Sequence, residues 1–229
     1  MSEVALVTGG NKGIGREIVR QLAERGFTVH LGARDPSAVG ELPAGDIRVV
    51  RLDVTDAATV AAAVETVGRL DVLVNNAGVM VEWGVDAADM TAAVFRETYE
   101  VNVFGVVTVT SACLPLLRRS DNPRIVNVSS GLGSLTVLTD RPGFLAYSSS
   151  KAALNAMTLV YANALRAEGI KVNAVSPGLV PTDQNAAAPF PRGDRTTADG
   201  AVVPVALATI PADGPTGVFL GPNSDVIPW

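Results

Sequence analysis

The sequence is poor in cysteine and histidine, with one residue of each, Cys113 and His30. A lone cysteine cannot form a disulfide within the chain, so we expect a reducing compartment, with the cytoplasm as its natural setting. Cys113 lies in an apolar stretch far along the chain from His30, which favours a packing role over a nucleophilic one. We expect no metal site.

Charge is scarce as well, because only 18% of the residues are charged and the net charge is -5. This balance argues against nucleic acid or an anionic membrane surface as a partner. The N-terminal segment has no basic region and no cleavable apolar run, so we expect no signal peptide. The longest uncharged stretch, 101–117, falls just short of a bilayer span and contains Asn102. We interpret it as a buried helix.

Short β-branched runs alternate with longer helical patterns along the whole chain. The predicted strands are 3–8, 27–32, 47–52, 70–75, 123–128, 171–176 and 216–220, and the predicted helices are 13–25, 56–68, 91–118, 147–168 and 198–209. Strands that are apolar on both faces predict a parallel sheet with helices on each side. Residues 1–229 therefore predict a single α/β domain, a doubly wound Rossmann-type fold with a seven-stranded parallel sheet and a short Pro/Gly-rich loop at 181–196.

The segment "LVTGGNKGIGRE" at 6–17 places Gly9, Gly13 and Gly15 where the first strand meets the first helix. Backbone N–H groups and the helix dipole at such a turn favour a bound pyrophosphate, and glycine lets the backbone approach it. The spacing differs from the usual G-x-G-x-x-G fingerprint. Tight packing alone explains such glycines equally well, so this turn needs support from other segments.

That support comes from "NNAG" at 75–78, "VNVSS" at 126–130, "YSSSK" at 147–151 and "SPG" at 176–178. With the T-G-x-x-x-G-x-G pattern of the first turn, they resemble the ordered motifs of the short-chain dehydrogenase/reductase family over essentially the whole chain. "GGNKGIG" and "ARD" resemble its NADPH-dependent carbonyl reductase branch. The resemblance implies hydride transfer between a nicotinamide cofactor and a small carbonyl or alcohol substrate, with reduction as the expected direction.

Tyr147 and Lys151 are four residues apart, so on a helix they share one face. A phenol needs a pKa shift of about three units to act as acid or base near neutrality. A nearby ammonium, an oxidised nicotinamide ring and the helix N-terminus all favour the phenolate. We predict that Tyr147 is the acid–base residue, although spacing alone also fits a structural tyrosine beside a solvated lysine.

The resemblance implies that Ser130 hydrogen-bonds to the substrate carbonyl oxygen. It also implies that Asn102 helps to hold a water molecule that leads to Lys151. Ser130 precedes Tyr147 by 17 positions, whereas the family interval is about four shorter and falls on Ser134. We retain Ser130 because it directly follows a strand, and we place the extra residues in the turn at 139–143. Ser129 and Ser134 stay open as alternatives, and a satisfied core amide would equally explain Asn102.

Cofactor choice depends on the end of the second strand, "HLGARD". NAD-dependent members of the family carry an acid where this chain has Ala33, and the following Arg34 suits a 2′-phosphate, with Lys12 as a second cation. A slip of one residue would instead offer Asp35 to NAD. We expect NADP(H) to be preferred over NAD(H). The resemblance implies cofactor contacts from Gly9, Asn11, Lys12, Gly13, Ile14, Gly15, Arg34, Asp53, Val54, Asn75, Ala77, Gly78, Tyr147, Lys151, Pro177, Gly178, Val180 and Thr182.

Substrate identity is not encoded in these motifs. Trp83, Phe144, Leu145 and Phe190 are predicted to form the pocket wall. We expect a homodimer or homotetramer, because the helices around Asn102 and Tyr147 are apolar on more than one face. A non-catalytic NADP-binding sensor and an NAD-dependent alcohol dehydrogenase are the main alternatives. An epimerase or dehydratase ranks last, since such enzymes carry a longer C-terminal substrate domain.

Overall fold

The sheet has seven parallel strands, as the sequence predicts. In the computed structural model, which describes residues 2–139 and 144–229, the strands are β1 (Val4–Thr8), β2 (Thr28–Ala33), β3 (Ile47–Arg51), β4 (Val72–Asn75), β5 (Arg124–Val128), β6 (Lys171–Val175) and β7 (Phe219–Leu220). Their spatial order is β3-β2-β1-β4-β5-β6-β7. This order reverses direction between β1 and β4, which is the hallmark of a doubly wound Rossmann-type sheet. The predicted fold class is confirmed.

Within the described residues, seven α-helices connect these strands: α1 (Gly13–Glu24), α2 (Ala57–Val67), α3 (Ala92–Tyr99), α4 (Val106–Leu117), α5 (Leu135–Leu138), α6 (Leu145–Ala164) and α7 (Thr197–Ala208). One hydrophobic cluster packs α1 and α7 against the sheet, and a second packs α2 and α4 with the end of α6. The two clusters bury the two faces of the sheet.

Alternation along each strand explains this arrangement. In β1, Ala5 and Val7 enter the cluster of α1 and α7, whereas Leu6 between them enters the opposite cluster. In β4, Leu73 and Val74 likewise separate to opposite faces. Successive side chains of a strand point to opposite sides, so a run that is apolar at every position belongs to a sheet covered on both faces.

The predicted helix at 91–118 is divided in the structure. Between α3 and α4 lies a π-helical turn, Glu100–Gly105, which carries Asn102. A Cβ added to Gly105 would lie 2.7 Å from Val54 Cγ2, so glycine allows this turn to pack closely on the loop after β3. Single π-helical turns within α-helices are found at functional sites. Apolar periodicity cannot distinguish such a turn from continuous α-helix.

Other boundaries differ by a few residues. β7 contains two residues and not the five predicted, because Gly217, with a φ of +78°, lies in a turn just before it. The short helix α5 was not predicted, and α6 begins at Leu145, two residues before the expected start. Most of the turn proposed at 139–143 lies outside the described residues.

The run Ala92–Leu117 is long and apolar enough to cross a membrane by length and composition, with a mean hydropathy of 1.6. Half of the most apolar stretch of this run is buried within the fold. Helix α4 contributes Val109, Cys113 and Leu117 to the core. This burial supports a core helix. The pKa of the Cys113 thiol is raised to about 12 by burial, which fits the predicted packing role because the reactive form of cysteine is the thiolate.

Candidate active site

A cleft of about 840 Å³ opens at the carboxyl ends of the strands, beside the point where the strand order reverses. Ligands of open α/β sheets bind at this position. The cleft brings together the glycine turn and the segments that follow β2, β4, β5 and β6. It is therefore the meeting place of all five sequence motifs.

The glycine turn is bound tightly to the "NNAG" segment. Thr8 Oγ1 accepts hydrogen bonds from the backbone N–H groups of Asn76 and Ala77, both at 3.0 Å. Asn76 Nδ2 donates in return to the carbonyl oxygens of Thr8 and Gly9. A Cβ added to Gly15 would lie 2.3 Å from Asn76 Nδ2 and 2.4 Å from the oxygen of Gly9. Only glycine fits there, since no side chain can occupy that space.

Asn75 does not line the cleft, so its predicted cofactor contact is not supported. The side chain is buried, and its Nδ2 donates to Thr110 Oγ1 at 3.1 Å and to Asn127 Oδ1 at 2.9 Å. The reason is strand alternation, which turns Asn75 to the same face as Leu73 and toward α4. Asn76 lines the cleft in its place.

The remaining predicted cofactor residues all line the cleft. They are Gly9, Asn11, Lys12, Gly13, Ile14, Gly15, Arg34, Asp53, Val54, Ala77, Gly78, Tyr147, Lys151, Pro177, Gly178, Val180 and Thr182.

Charged groups at the end of β2 have distinct surroundings. Arg34 is exposed and lines the cleft. The neighbouring Asp35 accepts hydrogen bonds from the hydroxyl and backbone N–H of Ser37, at 2.6 and 2.9 Å. The Ser37 hydroxyl is the main reason that the pKa of Asp35 lies below its usual value. The Asp35 carboxylate is thus hydrogen-bonded within its own loop. Lys12, the second predicted cation, forms an ion pair with Asp183, with its Nζ 3.0 Å from Asp183 Oδ2.

Tyr147 and Lys151 lie side by side on α6, both almost completely buried. Burial raises the pKa of Tyr147, and the nearby side chains of Ser130 and Gln184, which act in the opposite direction, do not outweigh it. The expected lowering of this pKa is therefore not produced by the described protein groups. Lys151 Nζ lies 5.7 Å from the centroid of the Tyr147 ring and donates to the carbonyl oxygen of Val128 at 2.9 Å. Burial lowers the pKa of Lys151 to about 8.

Of the three candidate serines, Ser130 is the one that lies close enough to Tyr147 to affect its pKa, and it lines the cleft. Ser129 donates its hydroxyl to Asn155 Oδ1 at 2.7 Å. Ser134 is fully buried, does not line the cleft, and caps α5 by accepting from the N–H of Val137. The geometry favours Ser130.

Asn102 links the loop after β4 to α6. Its carboxamide exchanges two hydrogen bonds with the backbone of Val79, at 2.8 and 2.9 Å, and donates to Ser150 Oγ at 3.0 Å. A Cβ added to Gly78 would lie 3.3 Å from Asn102 Oδ1 and 3.5 Å from Lys151 Nζ. The two side chains therefore converge on one small space, although the described contacts of Asn102 are those of a satisfied core amide.

Three aromatic residues form one wall of the cleft. The ring of Trp83 lies 5.3 Å from Phe144 and 6.0 Å from Phe190, measured between centroids, and all three residues line the cleft. Leu145 does not line it and is 42% exposed. Residues that are two positions apart on an α-helix are separated by about 200° around its axis, so Leu145 faces away from Tyr147.

Two residues of the site had no signal in the sequence. Gln184 lies on a single 3₁₀ turn, Asp183–Asn185, within the predicted substrate loop, and its backbone carbonyl accepts from Trp83 Nε1 at 3.0 Å. Glu82 is buried against the start of α6. Neither belongs to a motif, and both reach the site through contacts between distant segments.

Comparison with known proteins agrees with this geometry. A family model described as short chain dehydrogenase matches residues 3–190. Salutaridine reductase from Papaver somniferum is 35% identical, with 94% of this chain and 93% of the relative covered. (-)-Isopiperitenone reductase from Mentha piperita is 34% identical, with 96% and 97% covered. The structure of NADPH-bound carbonyl reductase from chicken fatty liver is similar with a TM-score of 0.88 and 28% identity, covering 100% of this chain and 99% of that one.

The lowered pKa of Lys151 predicts how stability depends on pH. Because the folded pKa of about 8 lies below the ordinary 10.5, the cost of burying the ammonium is fully present below pH 8 and is lost as the pH rises to 10.5. Relative to Lys151→Met, the wild type should gain about 2 kcal/mol in unfolding free energy between neutral pH and about pH 10. Urea unfolding at several pH values measures this difference. A difference that stays constant with pH would contradict the shift.

Proposed function

This chain belongs to the short chain dehydrogenase family, and we propose that it is an NADPH-dependent oxidoreductase that reduces a ketone or aldehyde to an alcohol. The observation that carries the proposal is the convergence of Ser130, Tyr147 and Lys151 in the cleft that the glycine turn also lines. We further propose that the 229 residues act as one domain.

The residues of the cleft fit a dinucleotide. The glycine turn and Asn76 form a narrow cradle at the N-terminus of α1, and a Cβ on Gly15 would fill the space between them. Gly9, Gly13 and their neighbours would hold the pyrophosphate, and Gly78, Lys151 and Thr182 would surround the nicotinamide end. When bound, the cofactor supplies the hydride.

Tyr147 would act as the general acid. Its raised pKa keeps the phenol protonated at neutral pH, so it can give a proton to the carbonyl oxygen as negative charge develops there. The Ser130 hydroxyl, which lies near Tyr147, would donate to the same oxygen. Lys151, largely protonated below a pKa of about 8, would stabilise the phenolate left behind.

The substrate that suits this cleft is an uncharged, largely apolar carbonyl compound. Next to the aromatic wall of Trp83, Phe144 and Phe190, the lining includes Met80, Val81, Leu132 and Leu179. The relatives named for reductions of salutaridine and isopiperitenone support a small organic ketone. The single buried cysteine supports a reducing compartment such as the cytoplasm.

Tyr147→Phe should lower turnover of any ketone substrate by at least about 100-fold, because the ring stays in place while the proton donor is lost. NADPH affinity, measured by fluorescence titration, should change little. Tyr161→Phe is the matched control, since Tyr161 lies on the same helix but does not line the cleft. Near wild-type turnover by Tyr147→Phe would show that Tyr147 is not the acid, whereas NADPH binding by the wild type without turnover of any ketone would favour the nucleotide-sensor alternative.

Arg34→Ala should weaken NADPH binding by about 10- to 100-fold and leave NADH binding nearly unchanged, because a charge-assisted contact to the 2′-phosphate is lost. The engagement of Asp35 with Ser37 supports this reading over an NAD site. Calorimetric titration of both cofactors gives the two affinities. Arg166→Ala, remote from the cleft, controls for the change in net charge. Equal losses for both cofactors would show that Arg34 does not contact the 2′-phosphate, and tighter binding of NADH than of NADPH by the wild type would favour the NAD-dependent alcohol dehydrogenase.

We also propose a homo-oligomer. Phe104 beside α4 and Val160 on α6 are 53% and 67% exposed in the isolated chain. The alignment with salutaridine reductase spans 295 positions, more than the 229 residues here, so that relative has insertions that this chain lacks. Trp229 stacks on Phe219 within the chain, and so it is not needed at an interface.

Light scattering should give at least twice the 23.6 kDa of one chain, whereas a monomer mass would contradict the oligomer.

A further inference from the structure

A buried carboxylate from a distant segment contacts the backbone of the predicted acid. Glu82 lies four residues beyond the "NNAG" motif and is 1% exposed. It accepts hydrogen bonds from the backbone N–H groups of Ala146 at 3.1 Å and Tyr147 at 2.5 Å. These N–H groups belong to the first turn of α6, where the helix itself supplies no acceptors. Glu82 thus completes the hydrogen bonding of the turn that carries Tyr147.

This form of capping is unusual within the molecule. Helices α2, α5 and α7 are capped by the side chains of their own N-cap residues, Asp56, Ser134 and Thr196. The N-cap residue of α6, Phe144, has no such side chain. The carboxylate comes instead from a residue 65 positions away in sequence. The position of the first turn of α6 therefore depends on the loop after β4.

The next residue in that loop contacts the substrate side of the cleft. Trp83 packs its ring on Phe144, directly before α6, and on Phe190, and its indole N–H donates to the carbonyl of Gln184. Glu82 and Trp83 are neighbours in sequence that act on different parts of the site. One contacts the acid's backbone, and the other contacts the wall and the substrate loop.

We propose that Glu82 is a positioning residue for catalysis. By fixing the first turn of α6, it holds the Tyr147 hydroxyl in place beside Ser130. This inference rests on the proposed function, in which Tyr147 delivers the proton. Displacement of a reacting group by about 1 Å can cost about 100-fold in rate. A carboxylate bound to two N–H groups at a helix N-terminus is well suited to resist such a displacement, since charge, dipole and hydrogen bonds act together.

Loss of Glu82 and loss of Trp83 should have different kinetic effects. Misplacement of the acid reduces kcat for every ketone by a similar factor, because the proton is needed whatever the substrate's size. A change in the wall alters KM, and it does so chiefly for bulky ketones. A general weakening of the fold would instead reduce kcat and cofactor affinity together with the melting temperature.

The experiment compares Glu82→Gln, which keeps one acceptor oxygen, with Glu82→Met, which keeps the volume and loses both. We expect kcat to fall about tenfold in the first and about 100-fold in the second, equally for a small and a bulky ketone, with NADPH affinity within about twofold of wild type. Trp83→Phe should raise KM for the bulky ketone only. Asp56→Asn is the control, because it removes a helix-capping carboxylate from α2, away from the cleft.

An unchanged kcat in Glu82→Gln, or losses of kcat and NADPH affinity that run in parallel with a drop in melting temperature, would overturn the inference. If Glu82→Met does not fold, the kcat and NADPH affinity of Glu82→Gln decide the question alone. Full turnover by Tyr147→Phe would show that Tyr147 is not the acid, so the mechanism given under the proposed function, on which this inference rests, would be wrong, and no turnover of any ketone by the wild type would show that the function itself is wrong. Loss of turnover in Tyr147→Phe with full turnover in Glu82→Gln would show that only the positioning role is wrong.

Discussion

The hydrogen bonds between β1 and the segment after β4 are the constraint on which the site depends. Thr8 and Asn76 exchange backbone and side-chain bonds across the point where the strand order reverses. This contact brings the two strand ends so close that Gly15 cannot carry a side chain. It also fixes the glycine turn, which is the proposed pyrophosphate cradle, against the rest of the cleft.

The same segment continues toward the catalytic helix in two further steps. Val79 is held by the carboxamide of Asn102, which in turn contacts Ser150 on α6. Glu82 then binds the N–H group of Tyr147. Residues 75–83 therefore connect the proposed cofactor cradle at the glycine turn to Tyr147, the proposed acid, through one continuous stretch of backbone.

Burial sets the protonation of the two titratable groups. It raises the pKa of Tyr147 and lowers that of Lys151, in both cases because the charged form loses contact with water. The raised pKa consequently keeps the phenol of Tyr147 neutral, as its proposed role of proton donor requires. The ammonium remains available below about pH 8, and its burial makes Lys151 a residue retained at a cost in stability.

The sheet and most of the cleft follow from the sequence, because strand alternation and the spacing of glycines are local patterns. The same alternation explains why Asn75 turns into the core while Asn76 faces the cleft. Gln184 and Glu82 could not be predicted, since each reaches Tyr147 through a contact between segments far apart in sequence. The π-helical turn around Asn102 could not be predicted either, because its apolar periodicity matches that of an α-helix.

Transfer of deuterium is the most direct test of the central claim. The purified protein would be given NADPH deuterated at the transferable position of the nicotinamide ring, together with a panel of uncharged apolar ketones. The account predicts an alcohol with one deuterium on the carbinol carbon, formed on a single face, and no such product from Tyr147→Phe. Binding of NADPH without labelled alcohol from any ketone, or equal labelling by Tyr147→Phe, would contradict it.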